Sequence, residues 1–213
     1  MKLKLLVGMT LVAIIAFIGC TKSEDNNPAG PTTQYLTIQS DSDSLYDTNY
    51  YIDSVPTETD SALYAEVSPT QTGKLFKVKI MFGNWNPTSG GVYQVPGNGT
   101  TVAIFSKSGT GPGTQMGTTQ TIGTIHQNTA GHFAWTEVAF DAMNLSITNG
   151  THFYIAVTPH FNDRTASSTE RLFIGGETTT PSTTPVETWI LDHDQSFNHL
   201  TNLDAAVSAV ISY

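Results

Sequence analysis

The side chains able to do chemistry are few and scattered. Six histidines, His126, His132, His152, His160, His193 and His199, raise a metal site first. Zinc wants about three or more nitrogen, sulfur or oxygen ligands fixed around it. The densest group is Asp192-His193-Asp194 with His199 nearby, but there is no His-Glu-x-x-His and no helix to carry one, so these read as solvated loop residues. Asp41, Asp43 and Asp47 are oxygen ligands of the kind calcium prefers. The run lacks the glycine and distal glutamate of an EF-hand loop. An acidic loop is the simpler reading, and a structural calcium there is the one cofactor left open. A nucleophilic serine would need a histidine, an acid and a strained turn, and there is no Gly-x-Ser-x-Gly elbow. Glu66, Glu137, Glu170, Glu177 and Glu187 could meet across strands as a glycosidase pair, yet none has a distinctive setting. The expectation is a non-catalytic chain. Aromatics are the better functional surface. Trp85 and Tyr93, with Asn84 and Asn86, lie in the segment NWNPTSGGVYQVPGNG over 84–99. Flat rings beside amide groups suit carbohydrate, the favoured ligand. Trp135 and Trp189 read as core or loop-pinning residues.

The elements that must hold these residues are strands. Thr, Ser and Gly abound, charged residues are only 13%, and no segment after the first twenty residues sustains a helical apolar period. Short β-branched and aromatic runs recur between Gly, Pro and Asn. Strands are expected over 46–52, 62–67, 74–82, 102–105, 122–126, 134–140, 151–158, 171–174, 189–191 and 205–213. In the clearest, Phe76, Val78, Ile80 and Phe82 would face a core and Lys77, Lys79 and Met81 the opposite side. Over 134–140 either alternate set could face inward, whereas Phe153, Ile155 and Val157 read as inside. Gly109 to Gly113 reads as a turn, and Gly175 to Pro185, with its Thr/Pro-rich ETTTPSTTP, as a mobile loop. About nine or ten strands of this kind make an all-β, two-sheet antiparallel sandwich, jelly-roll-like, which manages its edges better than one open sheet.

Lys2 and Lys4 followed by apolar Leu5 to Ile18 and then the only cysteine, Cys20, have the layout of an export signal. As a helix, Leu5 to Ile18 would reach only ~21 Å, short of a ~30 Å hydrocarbon core. Ile18-Gly19-Cys20 resembles the lipobox of bacterial lipoproteins, with Phe17 where that family usually has Leu. The resemblance implies lipidation at Cys20 and a firm membrane anchor, because more than one acyl chain binds stably. The expected organisation is a signal peptide at 1–19, lipidated Cys20 with a tether at 20–33, and one sandwich domain at 34–213. Ser23-Glu24-Asp25 is similar to the acidic export signal of Bacteroidetes-type surface lipoproteins, which implies the outer membrane and its outer face. Asp43-Ser44-Leu45, Asp53-Ser54-Val55 and Asp60-Ser61-Ala62 resemble the O-glycosylation acceptor of the same bacteria. The net charge of −9 argues against nucleic acid as a partner. The expected partners are the membrane through the lipid and a glycan. The rival is a structural or assembly protein binding another envelope protein.

The order of signals is also similar to jelly-roll modules in Bacteroidetes surface proteins. The matching residues are Val102-Ala-Ile-Phe105, Gly111-Pro112-Gly113, Trp135-Thr-Glu-Val138, Phe153-Tyr-Ile-Ala156, Trp189 and Ala205 to Tyr213. The resemblance spans roughly 45–213 and implies a fold rather than an activity.

Overall fold

A computed structural model describes residues 33–39, 48–53, 61–83, 99–122, 125, 133–162, 170–177, 186–192, 196–201 and 204–213. All belong to one compact unit, Thr33–Tyr213. The fold is all-β: two antiparallel sheets face each other as a jelly-roll-like sandwich, and no α-helix occurs among the described residues.

The larger sheet contains β1 (Tyr35–Gln39), β2 (Thr48–Asp53), β4 (Gly73–Gly83), β7 (Ala134–Ala139), β8 (Ser146–Ile147), β10 (Arg171–Glu177), β13 (Asp204–Ala205) and β14 (Val207–Ser212). Its order runs β1-β14-β4-β10-β13, with β2 on β10 and both β7 and β8 on β4. The smaller sheet contains β3 (Ala62–Val67), β5 (Thr100–Ser108), β6 (Gly111–Ile122), β9 (Phe153–Pro159), β11 (Val186–Leu191) and β12 (Phe197–His199), ordered β12-β11-β3-β9-β5-β6.

Period-two alternation sends one face of each sheet into a common core. Leu75, Val78, Ile80, Phe82, Val138, Phe140, Leu172, Ile174, Val207, Ala209 and Ile211 meet Leu63, Ala65, Val67, Val102, Ile104, Phe153, Ile155 and Val157. Phe153, Ile155 and Val157 are inside as expected. Over β7, Thr136 and Val138 point in, leaving Trp135 and Glu137 outside. Thr188 stitches the layers: wholly buried on β11, its hydroxyl accepts the Ala205 N–H of β13 at 2.7 Å.

Four expectations need correction. Phe76 is not a core residue. The β4–β14 register slips so that Val210 faces Lys77 while Ile211 faces Leu75, inserting one extra residue into β4. Such a bulge turns the strand over locally. Leu75 then fills the core, and half-buried Phe76 lies outside against Tyr35, centroids 4.9 Å apart. Gly111 to Gly113 is not turn but the start of β6, which pairs with β5 as far as Ile122. Only Gly109 and Thr110 make the reversal, Gly109 with φ +61°. The strand expected from 151 begins at Phe153. The loop expected from Gly175 does not start there, because β10 stays paired through Gly175 and Gly176 to Glu177.

Candidate functional site

Cys20, Asp41, Asp43, Asp47, Asn84, Trp85, Asn86 and Tyr93 lie outside the described residues, as do His126, His132, His193 and Asp194. The remaining histidines separate. His160 bonds the Thr101 hydroxyl at 3.0 Å, His199 stacks on Trp189 with centroids 4.5 Å apart, and His152 belongs to a polar cluster on the smaller sheet. Among the described residues no three histidine, cysteine, aspartate or glutamate side chains group as metal ligands would.

The outer face of the smaller sheet carries the most organised chemistry. Tyr64 and Glu66 alternate with core-facing Leu63, Ala65 and Val67 on β3, and Tyr154 sits opposite Glu66 on β9. Tyr64, Phe105, Tyr154, Trp189 and Phe197 pack into a satellite cluster over this face. Phe197 stacks parallel on Trp189 at 5.0 Å, and Tyr64 meets Phe105, Tyr154 and Phe197 edge-on. The indole N–H of Trp189 is buried without a hydrogen-bond partner among the described residues. With its ring stacked against Phe197 and His199, Trp189 acts as the pinning residue expected from the sequence.

Glu66 is 2% exposed although it stands on the outer face; the Tyr154 phenol that bonds it also reaches the Thr110 carbonyl of the β5–β6 turn at 3.4 Å. A buried carboxylate is costly unless its oxygens are bonded. One oxygen accepts the Tyr154 phenol at 2.8 Å; the other accepts His152 Nδ1 at 2.7 Å and the Lys107 ammonium. Burial pushes the Glu66 carboxyl up, and the bonds from Lys107, Tyr154 and His152 outweigh it, so the group stays below the ordinary glutamate range. The Tyr154 phenol is pushed well up, by burial first and then by the carboxylate it serves. An ionised carboxylate only accepts, so the His152 proton bonded to it sits on Nδ1. In the neutral ring Nε2 is then an acceptor, and it lies 3.2 Å from the Ser68 hydroxyl. Sequence reasoning named Glu66 and His152 only within larger groups and passed over Ser68. Glu66 and Ser68 stand two residues apart, hence on one face of an extended segment.

The outer face of the larger sheet is different. Trp135 on β7 is 39% exposed, which corrects its expected core or pinning role. Glu137, two residues on along the same face, bonds Lys77 at 2.7 Å and Lys79 at 3.0 Å. These bonds hold its carboxyl below the usual range. Beyond Trp135 lies a small apolar group of Met81, Phe133 and Phe173, with Phe133 lying flat enough on Gly83 that a Cβ there would come within 2.8 Å of its ring. The other candidate carboxylates fall elsewhere: Glu170 accepts the Asn162 N–H at 2.7 Å, and Glu187 stands in register with Glu66 on the neighbouring strand.

No family model matches the chain, and no curated protein matches it. Among solved structures, the infectious bursal disease virus VP2 subviral particle is similar, with TM-score 0.30 and 11% identity over 85% of this chain. The chain spans 41% of that structure's length. A likeness this loose says nothing of what this chain binds.

Proposed function

We propose that this chain is a lipid-anchored envelope protein, held at the outer membrane through Cys20, whose sandwich binds glycan. The observation that carries the ligand class is the exposed Trp135 indole on a rigid strand, with Glu137, Lys77 and Lys79 beside it on the same face. A pyranose ring offers an apolar face that stacks on an indole, while its hydroxyls exchange hydrogen bonds with carboxylate and ammonium groups. The pairing of Trp135 with Met81 places this platform two residues from Gly83, where β4 ends and the chain runs on toward Trp85 and Tyr93. The anchor rests on the lipobox-like sequence and the polar tether.

The test is a thermal-shift screen of the full chain in detergent against an oligosaccharide panel. A ligand at about 100 times its dissociation constant adds ~2.7 kcal/mol. One sugar class should stabilise the protein, and Trp135→Ala should abolish that shift while leaving the unliganded midpoint nearly unchanged. Loss in Trp85→Ala with retention in Trp135→Ala would move the site to the 84–99 segment. No shift with any sugar would reject the glycan reading in favour of a protein partner. The observation favouring that rival is the exposed Tyr35 ring at the β1 end of the same sheet, 55% exposed beside Phe76.

A further inference from the structure

We propose that Ser68, His152 and Glu66 form a nucleophile, base and positioning acid that cleave carboxylic esters. The site is separate from the glycan platform: it stands on the other sheet and shares no residue with Trp135, Glu137, Lys77 or Lys79.

The geometry has the connectivity of a hydrolytic triad. Ser68 Oγ is 3.2 Å from His152 Nε2, and His152 Nδ1 is 2.7 Å from a Glu66 oxygen. Roles in such a triad are recognised by these contacts, not by chain order or surrounding motif. Each member has the setting its role needs. The acid is buried and ionised, and Tyr154 and Lys107 fix it from two further directions, so the imidazole is oriented by a carboxylate that cannot swing away. In its neutral form the base would carry its proton on Nδ1, toward the acid, and present Nε2 to the hydroxyl. The nucleophile and base reach solvent: Ser68 is half-buried and the His152 side chain is 40% exposed. Anchoring Glu66 calls only for donors to its carboxylate; it does not call for a serine on the far side of the imidazole.

The reaction balances with water alone. Ser68 Oγ forms a bond to the ester carbonyl carbon as its proton passes to His152 Nε2. The adduct collapses by breaking the carbon–oxygen bond to the alcohol, which leaves with that proton. Water, deprotonated by the same nitrogen, then attacks the acyl-serine and releases the acid and the free hydroxyl. Glu66 stays ionised throughout and acts through His152.

The experiment uses the full chain in detergent with two probes: a fluorophosphonate, which bonds an activated serine oxygen with loss of fluoride, and p-nitrophenyl acetate. Peptide mapping should place the phosphonate on Ser68. Ser68→Ala should lose the label and the acetate burst. His152→Ala should slow labelling by ~100-fold or more, the scale of a lost general base. Glu66→Gln should lower kcat for the acetate with KM held, which a structural role would not do. Ser68→Ala and His152→Ala, both at half-buried positions, should keep the melting midpoint to within several degrees of wild type, so folding and reactivity are read apart. A folded protein that takes no phosphonate at Ser68, or takes it at the same rate in His152→Ala, overturns the proposal. Neither outcome bears on sugar binding by Trp135.

Discussion

Glu66 stays charged in a buried position because Lys107, Tyr154 and His152 donate to it, and that dependence fixes how the protein should respond to acid. Its folded-state carboxyl is held below the ordinary glutamate value, so the unfolded chain takes up its proton first as pH falls. The stabilisation is therefore present above the unfolded value of ~4.3 and drains away as pH drops through the lower folded value. Urea midpoints measured from pH 7 to 3 should fall along this limb, and Glu66→Gln should flatten it. Glu137 is shifted the same way, but it is surface-exposed and its ion pairs with Lys77 and Lys79 are screened, so Glu137→Gln should leave the limb nearly intact. The sequence shows Glu66 only as one polar letter in an apolar strand. What it cannot show is which strand lies opposite. Tyr154 and His152 come from 88 and 86 residues away and Lys107 from 41, and only the β3–β9–β5 order brings them together. Trp135 was misplaced for a related reason. Both alternate sets of β7 are apolar enough to face a core, and the pairing of Lys79 with Glu137 decides between them.

Strands with strict alternation are legible nearly to their ends, while others, such as β5 and β10, are legible only in part. β3 and β9 were expected almost as they stand because Leu63, Ala65 and Val67 and Phe153, Ile155 and Val157 repeat cleanly. β6 was missed over most of its length: GPGTQMGTTQTI buries little, so burial left no pattern to read, and its pairing comes from the β5 ladder. In β4 the alternation misleads, since one inserted residue moves Phe76 out and Leu75 in. The two side chains should therefore differ sharply on truncation. Leu75→Ala empties a fully buried site and should cost ~2–5 kcal/mol. Phe76→Ala loses a half-exposed contact with Tyr35 and should cost ~0.5–1.5 kcal/mol. Denaturant midpoints of the two variants, compared at equal slope, check the order; a larger loss at Phe76 would mean that the bulge is not where the register places it.

At the scale of the whole molecule, the sandwich separates two outer surfaces on one shared core. One presents an exposed indole among charged groups, the other a covered aromatic cluster with a buried carboxylate at its rim. The class of the fold followed from composition and turn spacing; the strand order did not, because ladders such as β1 on β14 join segments that share no local signal. That ladder has a consequence for connectivity. Gln34 and Tyr213 exchange both backbone hydrogen bonds, at 3.1 and 3.0 Å, so the domain is in effect a ring cut at one seam. The seam is movable. A permuted chain in which a short glycine–serine linker joins Tyr213 to Thr33, with new termini opened at the exposed Gly109 turn, should fold to the same sandwich with a melting midpoint within several degrees of the original.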